Sequence, residues 1–210
     1  IESLPKAEDY PEYDGVILKE NTGYELTYRR NGTFVLTRHY KRSTYVFSNP
    51  SRFRDVIVSL RENEELFHIS ARVILPNGTI IEVPADEFHK TRTIMEGQRS
   101  HADRSSILFS YPQVEKGAIL ECGFRIERQS FVHAAGWYIQ NNLPIIQTEF
   151  WMHMPDFLMA QDENDSNKFR FKYKIHNYDD VTFQRSTASD KIIFSTVLHD
   201  IPPLHKEQYM

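Results

Sequence analysis

The chain holds a single cysteine, Cys122, in 210 residues. One thiol excludes an internal disulfide and any metal site built from several thiolates. Glycine is also scarce, at 8 residues against 14 Phe and 11 Tyr. No Gly-rich phosphate loop of the G-x-G-x-x-G or G-x-x-x-x-G-K type occurs, and no Gly-x-Ser-x-Gly nucleophile elbow. No apolar run approaches the ~18–20 residues that a membrane-spanning helix needs. The net charge of −4 gives no overall field to draw in nucleic acid or an anionic membrane. No methionine or apolar leader precedes Ile1, which fits either a removed targeting segment or a cut boundary.

What the chain does have is aromatic-rich alternation. Ala118, Leu120, Cys122, Phe124 and Ile126 alternate with polar or small residues such as Glu121, Gly123 and Arg125. That period of two marks a half-buried strand and points Cys122 inward. Phe169, Phe171, Tyr173 and Ile175 alternate with Arg170, Lys172 and Lys174 in the same way, and Tyr24, Leu26 and Tyr28 with Glu25, Thr27 and Arg29. Asn31-Gly32 and Asn77-Gly78 stand between such runs, where Asn-Gly accepts the positive φ of a tight hairpin turn. Lys116-Gly117 and the polar stretch 161–168 read as further turns or loops, and Ser186–Asp190 separates Val181–Gln184 from Lys191–Leu198. Pro84–Met95 has too few apolar positions for more than a short helix or an irregular crossing. Asp55–Leu66 reads as strand, because Val56, Ile57 and Val58 are β-branched. The expectation is all-β: a large two-sheet antiparallel β-sandwich of about a dozen strands with little helix. No Gly/Ser/Pro linker divides the chain, so residues 1–210 read as a single module.

Candidate chemistry is thin. Cys122 shares its strand face with Leu120, Phe124 and Ile126, whereas a nucleophilic thiol needs a base and an electropositive, partly exposed setting. It reads as structural, and no residue is assigned a catalytic role. The nine histidines form no His-x-His or His-x-x-x-His pair, so no metal or other cofactor is expected. Glu64-Glu65 and Asp179-Asp180 read as solvated turns. Asn31, Asn77 and Asn164 begin glycosylation-type triplets but read as turn residues.

Two surface features invite a binding role. Between Tyr24 and Arg54 stand Arg29, Arg30, Arg38, Lys41, Arg42, Arg52 and Arg54 against one acid, Glu25. Such a stretch suits an acidic partner, or it marks the solvent side and exposed edges of strands. On the strand at 145–154, Ile146, Phe150, Met152 and Met154 make an apolar face, opposite Gln147, Glu149, Trp151 and His153. An aromatic ring flanked by an amide, a carboxylate and an imidazole suits stacking on a sugar and bonding its hydroxyls. Cover of Trp151 by a loop or a neighbouring domain is the plainer alternative.

Several phrases resemble a known family. Ala71-Arg72-Val73-Ile74-Leu75-Pro76-Asn77-Gly78 looks like its A-x-v-i-l-P-D/N-G hairpin. Phe109-Ser110-Tyr111-Pro112-Gln113-Val114-Glu115-Lys116-Gly117 resembles its f-s-x-P-x-V-e-x-G phrase. Asp14–Leu18, Trp137–Gln140 with Leu143-Pro144-Ile145, and Ile201–Met210 follow the family's order as well. The resemblance is to the domain of unknown function found N-terminal to transglutaminase-like domains in Bacteroidetes-type envelope proteins. It implies a periplasmic, cell-envelope or secreted β-sandwich that ends at the join to a downstream transglutaminase-like domain, its main partner. The Cys-His-Asp catalytic set would lie in that following domain. The expected function is therefore non-catalytic: domain docking or substrate positioning, the alternative being a module that binds carbohydrate, peptidoglycan or a peptide. An enzyme in its own right would need titratable groups converging in a pocket.

Overall fold

The computed structural model describes residues 4–61, 63–93, 104–129, 137–159, 181–188 and 190–204. The strands expected at 169–175 and the loop at 161–168 lie outside these residues. Alternation becomes strands β1 (Gly15–Tyr28), β2 (Phe34–Val46), β3 (Asp55–Leu60), β4 (Glu64–Ile74), β5 (Ile80–Glu82) and β6 (His89–Thr93). β7 (Arg104–Ser110), β8 (Ile119–Arg128), β9 (Ile145–Pro155), β10 (Gln184–Ala188) and β11 (Lys191–Ile201) follow. Helical structure among the described residues is confined to 3-10 turns of three or four residues. No helix there is long and apolar enough to cross a membrane.

The strands form two unequal sheets, one of eight strands in the order β10-β11-β9-β1-β2-β8-β4-β5 and one of three, β3-β7-β6. The all-β sandwich is thus present, but not as two purely antiparallel layers, because β1 and β9 run parallel from Ile17↔Ile145 to Glu25↔His153. Both Asn-Gly hairpins form. Gly32 and Gly78 adopt φ of 81° and 85°, and the Asn31 and Asn77 Oδ1 atoms accept the Thr33 and Thr79 backbone N–H at 3.1 and 2.9 Å. Those side chains close the turn themselves, which is why they read as turn residues.

Three sequence expectations need correction. The run Asp55–Leu66 is not one strand: β3 ends at Leu60 and β4 begins at Glu64, just after Asn63 turns to φ 64°, and the two belong to different sheets. Pro84–Met95 holds a 3-10 turn at Ala85–Glu87 and then strand β6, an edge strand whose polar residues hide it from an apolar-pattern search. The last hairpin turns later than Ser186, with Thr187↔Ile192 and Ala188↔Lys191 still paired.

Even-numbered residues of β8, β2 and β9, and of β1 beyond its bulge between Ile17 and Lys19, share one face of the large sheet, because Leu36 pairs with Arg128 and Leu26, and Met152 with Tyr24. On the β8–β4 side the small sheet covers this face. Val58, Leu60, Ile107 and Phe109 meet Ala71, Val73, Leu120 and Ile126 in one buried cluster. Each such aliphatic side chain contributes about 1.5–3 kcal/mol on burial. A second cluster, with Tyr24, Leu26, Leu36, Met152, Met154 and Ile192, lies farther along the same face. Strands spaced about 4.8 Å apart make three strands far narrower than eight, so the small sheet spans only part of the large one. The inner face turns polar along β2, just past β3, where that cover ends.

Candidate functional site

On the outer face, Gln147, Glu149, Trp151 and His153 occupy alternate positions of β9 and are all partly buried. Their neighbours already engage them. Glu149 meets Lys19 at 3.5 Å. The Trp151 indole lies over Gly23, its register partner on β1: a Cβ on Gly23 would stand 2.0 Å from the ring. Its Nε1 donates to Asn21 Oδ1 at 3.1 Å. His39 and His153 flank it, with ring centroids at 5.3 and 4.5 Å. Burial lowers the pKa of both imidazoles, against the pull of Glu25, whose carboxylate accepts from Lys191 Nζ at 2.7 Å. The ring thus fills the groove that glycine leaves in the sheet. Trp137, on the segment before β9, stacks on Phe150 at 4.9 Å as a packing residue. Its neighbour Tyr138 does not pack and is 77% exposed, because that segment is irregular and imposes no strand alternation.

The inner face holds a larger feature that the sequence reading did not single out. Past the edge of β3 opens a cleft of 510 Å³ floored by Arg38, Tyr40 and Arg42 of β2 with Cys122 and Phe124 of β8. Its other wall is β3 itself, and Arg52 and Tyr111 close it. The floor forms because Tyr40 pairs with Phe124 and Arg42 with Cys122, so even positions of both strands face one way. The Tyr40 and Phe124 rings stack at 4.8 Å, and the Arg38 guanidinium sits 5.3 Å over the Phe124 ring.

Buried polar groups run from this floor toward β1. The Tyr40 hydroxyl donates to Glu20 Oε1 at 2.5 Å, and Arg42 Nε donates to Thr44 Oγ1 at 3.1 Å. Burial pushes the Glu20 carboxyl above its ordinary range, outweighing the Tyr40 bond and the Arg42 charge. Burial works against the Arg42 charge as well, but Tyr40, Cys122 and Glu20 outweigh it and keep the guanidinium ionised. Cys122 is only half-buried, at the point where the apolar cluster gives way to the cleft, so it borders the core rather than filling it. Burial raises its pKa despite the nearby Arg42 and the Tyr111 hydroxyl, which leaves a protonated thiol at neutral pH. Arg38 Nε is buried with no hydrogen-bond partner.

The basic stretch is therefore not one patch. Arg38 and Arg42 point inward and Lys41 outward. Arg29 pairs with Glu127 at 3.1 Å. Arg52, with Ser48 and Asn49, is hydrogen-bonded to the Asp14 carboxylate. β2 is a central strand, so Arg38, Lys41 and Arg42 do not guard an edge. The signal in the sequence was the shared parity of Arg38, Tyr40 and Arg42, but it acquires meaning only once β8 is known to be the neighbour. Among the described residues, no group of three or more His, Cys, Asp or Glu could hold a metal ion.

A family model described as "Domain of Unknown Function with solved-structure structure (DUF3857)" matches residues 36–204. No curated protein matches the chain. A crystal structure described as a "putative protease" from Parabacteroides distasonis ATCC 8503 is similar, with a TM-score of 0.68 at 12% identity. The match covers 93% of this chain and 37% of that one, so the chain spans little more than a third of that protein's length. A second structure, described as a "putative nutrient binding protein" from Legionella pneumophila subsp. pneumophila str. Philadelphia 1, is similar with a TM-score of 0.43 at 6% identity, over 89% of this chain and 63% of that one.

Proposed function

Because this chain belongs to the family of unknown function DUF3857, we propose that it works as a non-catalytic β-sandwich accessory module of a larger, transglutaminase-like protein in the periplasm or cell envelope. Its task is to dock on the catalytic domain or to position that domain's substrate. The observation that carries this reading is the coverage: nearly all of this sandwich matches a part, 37%, of a larger protein described as a "putative protease". The site chemistry supports the same division of labour. The one thiol is held protonated among aromatic and apolar neighbours, whereas a nucleophilic cysteine needs a depressed pKa and a base.

Carbohydrate binding on the outer row is the second reading. It rests on Trp151 standing beside Glu149 and His153, and it requires the indole to leave the groove over Gly23 or to stack through its remaining face. The accessory reading is tested by expressing the domain that follows residue 210 in the natural reading frame, alone and with this module. A cysteine hydrolase whose KM falls in the presence of the module, with kcat unchanged, is the expected result. A reading frame that ends near Met210, or a following domain without ordered Cys, His and Asp, would sink the proposal.

A further inference from the structure

The strongest unassigned feature is the cleft between β2 and the edge of β3, and two independent observations bear on what fills it. The first is the shape of its wall. Asp55, Val56, Ile57, Val58 and Ser59 all line the cleft. Side chains of a strand alternate between faces, so five consecutive residues can line one cavity only if the cavity runs along the strand's edge. Among the described residues, β3 has a strand partner, β7, on one side only. The Tyr111 N–H donates to the Arg54 carbonyl at 2.8 Å and so sets the phase of the ladder. Arg54, Val56, Val58 and Leu60 turn their backbone groups toward β7, while Asp55, Ile57 and Ser59 turn theirs to the free edge.

That edge is also unguarded. Edge strands are ordinarily blunted by shortness, charge, proline or bulges. The other three edges of the two sheets follow this rule: β5 is three residues long, β6 carries Lys90 and Arg92, and β10 carries Arg185. The one charge on β3, Asp55, is tied to Ser110 Oγ of β7, and beyond it runs an uncharged, β-branched stretch from Val56 to Val58 in unbroken register with β7. A regular edge of this kind is a template for one more strand.

The second observation is charge. Three of the residues that line the cleft are arginines, and one, Asp55, is an acid whose carboxylate already accepts from Ser110 Oγ at 2.5 Å. Arg52 is taken by Asp14. Arg38 keeps a buried Nε without a partner. The acid that acts on Arg42, Glu20, takes its hydrogen bond from Tyr40. Among the described residues, the two guanidinium groups bond hydroxyl groups, of Tyr24 for Arg38 and of Tyr40 and Thr44 for Arg42, and no carboxylate closes on them.

We propose that the cleft binds an extended acidic peptide: its main chain pairs with the Asp55, Ile57 and Ser59 backbone, and a carboxylate it carries is held by Arg38 and Arg42. The dimensions agree. A strand added to β3 lies about 4.8 Å from it, over β2, and stacked sheets stand about 10 Å apart, which lets a carboxylate side chain reach a guanidinium from the facing sheet. Arginine suits this role because its planar fork grips a carboxylate through two parallel bonds. The carboxylate is either an acidic side chain or a chain terminus; both present the same oxygens. As a substrate class for the positioning role this inference rests on the accessory reading, but binding itself needs only this chain, so the two fail separately.

The test is calorimetric titration of the 210-residue chain with three peptides. The first is acetyl-Thr-Val-Glu-Val-Thr-amide, the second has Gln in place of Glu, and the third has Thr in place of Glu with a free C-terminal carboxyl. The expected result is binding of the Glu peptide, weakened about tenfold or more by the Gln replacement, as for loss of a charge-assisted pair. Binding of the third peptide alone would assign the carboxylate to the chain end. Arg42→Gln and, separately, Arg38→Gln should erase the preference for Glu over Gln. Ile57→Pro removes an outward N–H from a residue that is 66% exposed and should weaken every peptide while leaving the thermal midpoint in place. No binding of any peptide up to about 10 mM, a concentration beyond the weakest specific complexes, would overturn the proposal. So would measurable but equal affinity for the Glu and Gln peptides.

Discussion

At the scale of single residues, Gly23 and Glu20 show how the two faces of β1 differ. Gly23 lies on the outer face beneath the Trp151 ring, and a methyl group there would overlap the indole. Gly23→Ala should lower stability by about 1–3 kcal/mol, the usual cost of forcing extra volume into a packed site, and shift the Trp151 fluorescence as the ring is displaced. Chemical denaturation followed by tryptophan emission checks both effects. Glu20 is 4% exposed on the inner face, and burial raises its pKa above the ordinary 4.5. A carboxyl that holds its proton more tightly when folded favours the fold below its unfolded pKa, and that contribution is lost as pH rises through the folded value. Glu20→Gln keeps an acceptor for Tyr40 and removes the titration. The Tm of the variant should therefore gain on that of the parent as pH rises from about 4.5 to 7. A parent and variant that keep a constant difference in Tm across that range would contradict it.

At the scale of elements, the sequence was most legible where one strand face is apolar and a turn has its own chemistry. β8 and the Asn-Gly hairpins followed directly, because each signal lies within a few consecutive residues. β6 was missed because it is an edge strand with no apolar stripe. Of β1 only the end from Tyr24 to Tyr28 was legible as strand, since the stretch before it carries polar residues into a buried setting, Glu20 and Thr22 among them. The parallel pairing of β1 with β9 left no local trace, as it joins segments far apart in the chain. For the same reason the outer row Gln147, Glu149, Trp151 and His153 could be placed on one face from alternation alone, while its covering partners Asn21, Gly23 and His39 could not. The cleft lay wholly beyond such reading: its walls come from two sheets. β3 offers an element-level test of its ladder phase. Val56→Pro should cost about 1–3 kcal/mol in the lost bond to β7 and the unpaired acceptor it leaves, whereas Ile57→Pro should cost little. Urea unfolding of the two variants measures the difference, and equal costs would show that the phase is wrong.

At the scale of the whole molecule, a three-stranded sheet covers part of an eight-stranded one, and this mismatch organises everything else. It separates the apolar cluster under the small sheet from the one around Met152 and Met154, and it leaves a polar, arginine-bearing strip between them. Ile126 and Met154, each 1% exposed, belong to different clusters. Truncating either to Ala should cost about 2–5 kcal/mol. The double variant should lose the sum to within about 0.5 kcal/mol, since sites without shared partners act independently. A larger deviation in the unfolding free energy would mean that the clusters are one.

The free edge of β3 is the claim on which the cleft depends, and amide hydrogen exchange read residue by residue by NMR addresses it most directly. Protection should alternate along the strand: Val56, Val58 and Leu60, bonded to β7, exchange slowly, while Ile57 and Ser59, turned to the cleft, exchange at rates near those of an open chain. Uniform slow exchange from Val56 to Leu60 would mean that another segment already occupies that edge, and the cleft would not be a binding site.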